Sequence, residues 1–448
     1  MPSFRSKIKF KRGATPIILA LLLISTFLLL VIFGPGIGDR LGFLGKQKEQ
    51  EQPTSAAEQD VRLIVTYKPS TKDTEKDDVV NNLKVDKLKR LRIIDADVVV
   101  AKANQLERIK SNPKVLRVEE DVQVQALIDS SPSPSPLPIS SPIPSSQTLP
   151  WGVDRIDAER IWSITTADFV KVAILDTGVD LDHPDLATNI KGGVNTIDNL
   201  QSADDDNGHG SHVTGTAAAL NNTFGVVGVG PDIDIYAVKV LNSTGGGFLS
   251  DVIEGLQWSI DNNMKVVNMS LGLTVDVIAF HSTIIAAQNA GITIVAAAGN
   301  SGPADNSVYY PAKYPEVIAV AAINQANSQS AYSSRGPEVD LAAPGDSIYS
   351  TVRGGSYATY TGTSMASPHV AGAAALVIAS HPGFTPAQVQ AHLQSTAERL
   401  LNLLTNQQGS GLVDAERAVL TSSPSPSPSP SPTPSPTTLS VVLSGRVL

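Results

Sequence analysis

Val170-Lys171-Val172-Ala173-Ile174-Leu175-Asp176-Thr177-Gly178-Val179-Asp180 decides how the chain folds. A β-branched apolar run ending in a carboxylate and a glycine turn reads as a strand covered on both faces, with Asp176 at its carboxyl end. Similar runs recur at residues 235–240, 266–269, 292–297 and 317–321, separated by helix-like segments. Buried strands alternating with helices predict an α/β domain, a doubly wound and mostly parallel sheet with helices on both faces. In such sheets functional residues gather beyond the carboxyl ends of the strands, which is where Asp176 falls.

Outward from that domain, set at residues 146–420, the chain changes character several times. Residues 129–145 and 421–438 are Pro/Ser-rich and read as extended linkers without a core. Residues 439–448 read as the stub of a further C-terminal module. Residues 60–128 read as a small α+β domain: strands at 61–67 and 95–101, a helix at 105–111 and a strand over 115–125. Residues 41–59 are a polar tether. Residues 1–40 hold Arg5, Lys7, Lys9, Lys11 and Arg12, then an apolar run from 16 to 33. Basic charge before an apolar run of bilayer length predicts an N-terminal membrane anchor or signal peptide that exports the rest. The run ends in Gly34-Pro35-Gly36-Ile37-Gly38 without a small-x-small cleavage box, which favours the anchor.

Composition narrows the function. The 448 residues contain no cysteine, so thiolate nucleophiles, zinc ribbons, iron–sulfur clusters and disulfide frameworks are excluded. The net charge of −9 divides into roughly +5 before residue 130 and roughly −14 after it. An acidic body argues against nucleic acid as a partner.

Two further segments carry chemistry. Asn207-Gly208-His209-Gly210-Ser211-His212-Val213-Thr214-Gly215-Thr216 places His209 near the start of a helix of small residues. Gly362-Thr363-Ser364-Met365-Ala366-Ser367-Pro368-His369-Val370-Ala371-Gly372 places Ser364 at a helix N-terminus, where N–H groups favour an anion. Serine is a weak nucleophile unless an imidazole takes its proton and a carboxylate orients that imidazole. Taken singly, Asp176 reads as a strand-end cap, His209 as structural and Ser364 as an N-cap. His209 and His212 also have the spacing of an HxxH metal pair, with Asp204, Asp205 and Asp206 the nearest further ligands, although that run reads as a solvated loop.

In their order and frames these motifs resemble the subtilisin-like serine proteases, over about residues 147–420. Ser211 stands where that family usually has threonine. The resemblance implies that Asp176, His209 and Ser364 form a triad, that Asn300 in Ala298-Gly299-Asn300 shares an oxyanion hole with the Ser364 N–H, and that His212 and His369 are structural. It implies that Ser270, Leu271 and Gly272 pair with one side of an extended substrate and Gly245 and Gly247 with the other. Leu249 is then expected to rim the pocket for the fourth residue before the cut, with Ala298 and Gly299 lining the first. Tyr309 falls where many subtilisins have glycine at the base of that first pocket. The resemblance also implies structural Ca2+ held by Gln147, Asp185, Leu220, Asn222, Phe224 and Val226. Residues 60–128 resemble the inhibitor propeptide, with autocleavage expected after Leu127. The resemblance thus points to a monomeric serine endopeptidase acting on polypeptides, made as a zymogen inhibited by its own propeptide, extracellular or at the cell surface.

Overall fold

A computed structural model describes residues 58–128 and 146–422. Of the expectations above, the apolar run at 16–33 and both Pro/Ser linkers lie outside those residues. Among the described residues no helix is long and apolar enough to cross a membrane.

Residues 58–128 form a four-stranded antiparallel sheet with two helices on one face. Its elements are β1 (Asp60–Tyr67), α1 (Asp73–Leu83), β2 (Asp86–Leu91), β3 (Ala96–Lys102), α2 (Leu106–Lys110) and β4 (Val115–Glu120), in the order β2-β3-β1-β4. The sequence reading missed α1 and β2, whose charged sequences hide the period. The expected single strand over 115–125 is two. After β4 the chain leaves the sheet and β5 (Gln123–Ala126) joins a different one. Leu63, Val65 and Tyr67 of β1 pack on the helices, whereas Ile64 of β1 and Val98 of β3 pack into the core of the larger body.

The body is built on seven parallel strands: β6 (Lys171–Asp176), β7 (Ile190–Asn195), β8 (Asp234–Lys239), β10 (Val266–Met269), β12 (Thr293–Ala297), β13 (Val317–Ile323) and β14 (Leu341–Pro344), ordered β14-β13-β12-β10-β6-β8-β7. The central strands are buried, apart from the half-buried Lys171 that opens β6, as their largely apolar runs require. The longer helices are α3 (His209–Ala218), α4 (Leu249–Asp261), α5 (Ile278–Asn289), α6 (Thr363–Ser380), α7 (Pro386–Thr396) and α8 (Ala415–Leu420). The short strands β9 (Gly246–Phe248) and β11 (Leu271–Gly272) flank β5, and β15 (Ile348–Val352) forms a hairpin with β16 (Ser356–Tyr360). This is the expected doubly wound α/β fold. Strand order reverses between β6 and β10, and the crevice beyond that reversal receives the functional residues.

Candidate active site

Asp176 ends β6 and is fully buried. Its Oδ1 accepts from the Thr177 N–H and faces His209 Nδ1, each at 2.7 Å. The approach depends on Gly210, because a Cβ there would lie 2.0 Å from Gly178 O. Burial disfavours the imidazolium of His209, but the carboxylates of Asp176 and Asp205 outweigh it and raise its pKa above the ordinary value.

The expectation of a solvated acidic loop holds for Asp204 and Asp206, which are exposed, and is corrected at Asp205. Asp205 is buried and accepts from Thr177 Oγ1, from the Gly208 and Ser211 N–H groups and from Ser211 Oγ. It caps the helix that bears His209. Ser211, the departure from the usual threonine, uses its hydroxyl here and also accepts from the Asp180 N–H. His212 turns away from His209: its Nε2 faces the carbonyls of Ile348 and Ala358, and burial pushes its pKa down to about 3. His369 is likewise pushed down to about 4 by burial. Rings directed at different partners do not make an HxxH pair, and both His212 and His369 are neutral packing residues.

Ser364 is the second residue of α6, whose first fifteen residues are all buried. Pro368, inside that helix, has no N–H to give to the Ser364 carbonyl four residues back. Ser270 Oγ donates to that carbonyl instead, at 2.9 Å, and shares a second bond with Ser367 Oγ. The Ser364 hydroxyl donates to Ser270 O at 2.9 Å, while His209 Nε2 is buried without a hydrogen-bond partner. The expected serine–imidazole bond is therefore not formed in this state: the Ser364 hydroxyl donates to Ser270 O instead.

Asn300 is oriented by a residue the sequence reading passed over. Its Oδ1 accepts from both the N–H and the hydroxyl of Thr363. That leaves Nδ2 pointing outward, where it donates to the carbonyl oxygen of Leu127 at 2.8 Å; the Ser364 N–H donates to the same oxygen at 3.3 Å. The only local sign of this role is a hydroxyl immediately before the serine.

Leu127 arrives through β5, which lies antiparallel to β11 on one side and to β9 on the other. Leu271 pairs with Ala126, Gly272 with Gln125 and Gly247 with Val124. Gly245 O accepts from the Ala126 N–H, Ser270 O from the Leu127 N–H, and the Leu249 N–H donates to Val122 O. Ala298 and Gly299 differ: Ala298 bonds Val320 and Tyr309, Gly299 bonds Ser334 and Thr363, so these two offer a wall rather than hydrogen bonds.

The residues expected to hold calcium also converge. Gln147 Nε2 donates to Leu220 O and Val226 O at 2.8 and 3.3 Å. Asp185 accepts from Asn222 Nδ2, the Val226 N–H and the Tyr357 hydroxyl. Phe224 lies in the same turn, with its N–H on Asn222 Oδ1. Gly225 has φ +65°, and a Cβ there would sit 2.0 Å from Asp185 Oδ2. The loop thus forms a tight cradle of carboxylate, amide and carbonyl groups. Among the described residues no cluster of three or more His, Asp or Glu side chains could hold a metal, so a cation here would rest on neutral oxygens plus one carboxylate. Such a set suits a hard cation once the Gln147 and Asn222 amides turn their oxygens inward.

An acid–imidazole pair beside a helix-start serine and an amide donor, beyond a parallel sheet, is the layout of a serine hydrolase. The chain belongs to the subtilase family, peptidase S8, which matches residues 168–411. It is 40% identical to subtilisin E of Bacillus subtilis (strain 168) over 364 residues, 80% of this chain and 90% of that protein. It is 47% identical to a subtilisin of Bacillus pumilus over 277 residues, 61% of this chain and 99% of that one. A thermostable alkaline protease of Halalkalibacterium halodurans is 38% identical over 367 residues. The protein is a serine endopeptidase of the subtilisin type.

Proposed function

We propose that Asp176, His209 and Ser364 are the working triad of this endopeptidase and that residues 60–127 are its inhibitor propeptide, removed by self-cleavage between Leu127 and Ile128. Asp176 holds the imidazole by Nδ1. His209 takes the Ser364 proton as the hydroxyl turns from Ser270 O, and later returns a proton to the leaving amine. Asn300 Nδ2 and the Ser364 N–H stabilise the oxyanion. Water then hydrolyses the acyl-enzyme. The observation that carries the reading is the Leu127 carbonyl oxygen, met by both of those donors while its strand is paired on either side. The Ca2+ cradle would be filled by Gln147, Asp185, Leu220, Asn222, Phe224 and Val226. The ion would fix the loop and the entering chain, with no part in the chemistry.

In this reading the enzyme works as a monomer on extended polypeptides at the cell surface or outside it. The basic–apolar residues 1–40 support export. The test is intact mass and N-terminal sequence of the wild type and of Ser364→Ala. Wild type beginning at Ile128 or later, with the variant still joined to residues 60–127, is the expected result. Cleavage at the same place in Ser364→Ala would show that another protease makes the cut.

A further inference from the structure

The Leu127 and Tyr309 side chains both approach the backbone of Gly272. The Tyr309 N–H donates to Ala298 O at 2.9 Å, which pins its backbone beside the Ala298–Gly299 wall. At the other end of the side chain its hydroxyl shares a 2.7 Å hydrogen bond with Ser301 Oγ, and the Ser301 N–H in turn donates to Ser334 Oγ. Between those anchors the side chain packs against Gly299 and Gly272. A Cβ on Gly299 would lie 2.8 Å from Tyr309 Cδ1, and a Cβ on Gly272 would lie 3.1 Å from both Cβ and Cδ2 of Tyr309. The same point beside Gly272 is 3.1 Å from Leu127 Cδ1. The end of the leucine and the Cβ and Cδ2 atoms of the tyrosine therefore share the space beside Gly272, and Leu127 is only 6% exposed there.

We propose that Tyr309 sets the depth of the pocket for the side chain preceding the cut, making it a short slot for leucine-sized aliphatic residues that rejects phenylalanine, tyrosine and tryptophan. An aromatic side chain extends past the reach of leucine Cδ and would meet the ring. The ring cannot retreat without giving up the Ser301 bond. Size discrimination in an apolar pocket reaches roughly 10–200-fold. The inference rests on the proposed placement of Leu127 as the residue before the cut, and it names the substrate class of that site.

The test compares kcat/KM for two p-nitroanilides, Val-Gln-Ala-Leu and Val-Gln-Ala-Phe, whose first three residues repeat Val124 to Ala126. Wild type should favour the leucine peptide by about tenfold or more, and Tyr309→Gly should reverse the order. A ratio is independent of how much variant is folded. In the full chain, Leu127→Phe should slow self-cleavage, and adding Tyr309→Gly should restore it, which a merely structural role for Tyr309 would not do. Equal turnover of both peptides by wild type, or an unchanged ratio in Tyr309→Gly, overturns the proposal while leaving the protease intact. No turnover of either peptide by wild type, with no self-cleavage, overturns the reading of the site itself and this proposal with it.

Discussion

The body and the N-terminal module are held together by different means, and the contrast separates a core complete in itself from one that is shared. The body has its own apolar core on both faces of its sheet, built from residues such as Ile174, Val267, Val295 and Leu376. The module has a small core around Leu63, Val79, Val99 and Ile109, and its other sheet face, with Ile64, Leu91 and Val98, is covered only by the body. Charge completes the joint. The residues before α4 and α5, Phe248 and Val277, provide no side-chain caps. Carboxylates of the module fill those places: Asp121 accepts from the Ser250 N–H and hydroxyl, and Glu119 accepts from the N–H groups of Ile278 and Ala279. Anions at helix N-termini are favourable but screened by salt. Lys89 adds contacts of 2.6 Å to each of Asp251 and Glu254. A two-helix sheet that shares half its apolar surface has little core to stand on alone.

This contrast can be tested by experiments of decreasing effect. The largest concerns the point where the two regions meet. Asn300→Leu should slow self-cleavage and peptide turnover by about 10²–10³-fold, the range for losing one oxyanion donor in subtilisin, while the module stays bound through its other contacts. Release of the module in that variant would mean that the Leu127 carbonyl, and not the helix caps, holds it. Next, a chelator should destabilise the body. At a hundredfold excess of ion over its dissociation constant the stabilisation is about 2.7 kcal/mol, which corresponds to roughly 5–10 °C in Tm for a domain of this size. Calorimetry of Ser364→Ala with and without chelator measures it; Asp185→Asn should abolish the difference, and an unaffected Tm would remove the calcium assignment.

A smaller effect is expected from Asp121→Asn, which keeps the shape and removes the charge. Charged hydrogen bonds are worth about 1.5–3 kcal/mol, so the lag between cleavage and full activity should shorten by about tenfold or more. A lag unchanged by this substitution and by salt would place the affinity in the apolar face. The smallest shift is in pH dependence. Only neutral His209 can accept the Ser364 proton, and its pKa is raised, so kcat/KM should fall as pH drops through a value above 6.5. Asp176→Asn should move that limb downward; a limb that stays in place would mean that another group sets it.

The sheet and the chemical residues were legible because each is written in contiguous sequence. Val172–Leu175 within β6 declares its burial by unbroken apolar residues, and the frames around His209 and Ser364 declare a helix start. What stayed hidden is long-range or depends on state. Asp205 looked solvated because nothing local shows that Thr177 and Ser211 close over it. Thr363 orients Asn300 across 63 residues of chain. Glu119 and Asp121 cap helices more than a hundred positions away. The Ser364 hydroxyl bonds Ser270 O instead of His209, an arrangement of atoms that no motif encodes.

Leu127 in the cleft and Gln147 on the calcium loop are both docked within one continuous chain. Nineteen peptide units link Ile128 to Gln147, and fully extended they could span at most roughly 68 Å. Hydrolysis at Leu127 would leave the strand pairing of β5 and the Gln147 bonds as they are. What it would change is concentration. While the chain is whole, a released module remains tethered at an effective concentration on the order of millimolar and rebinds; once the chain is cut, each departure is diluted into the surroundings. In the proposed maturation the cut would act less as a trigger than as a change from a unimolecular to a bimolecular equilibrium, after which inhibition would depend on how much module is nearby.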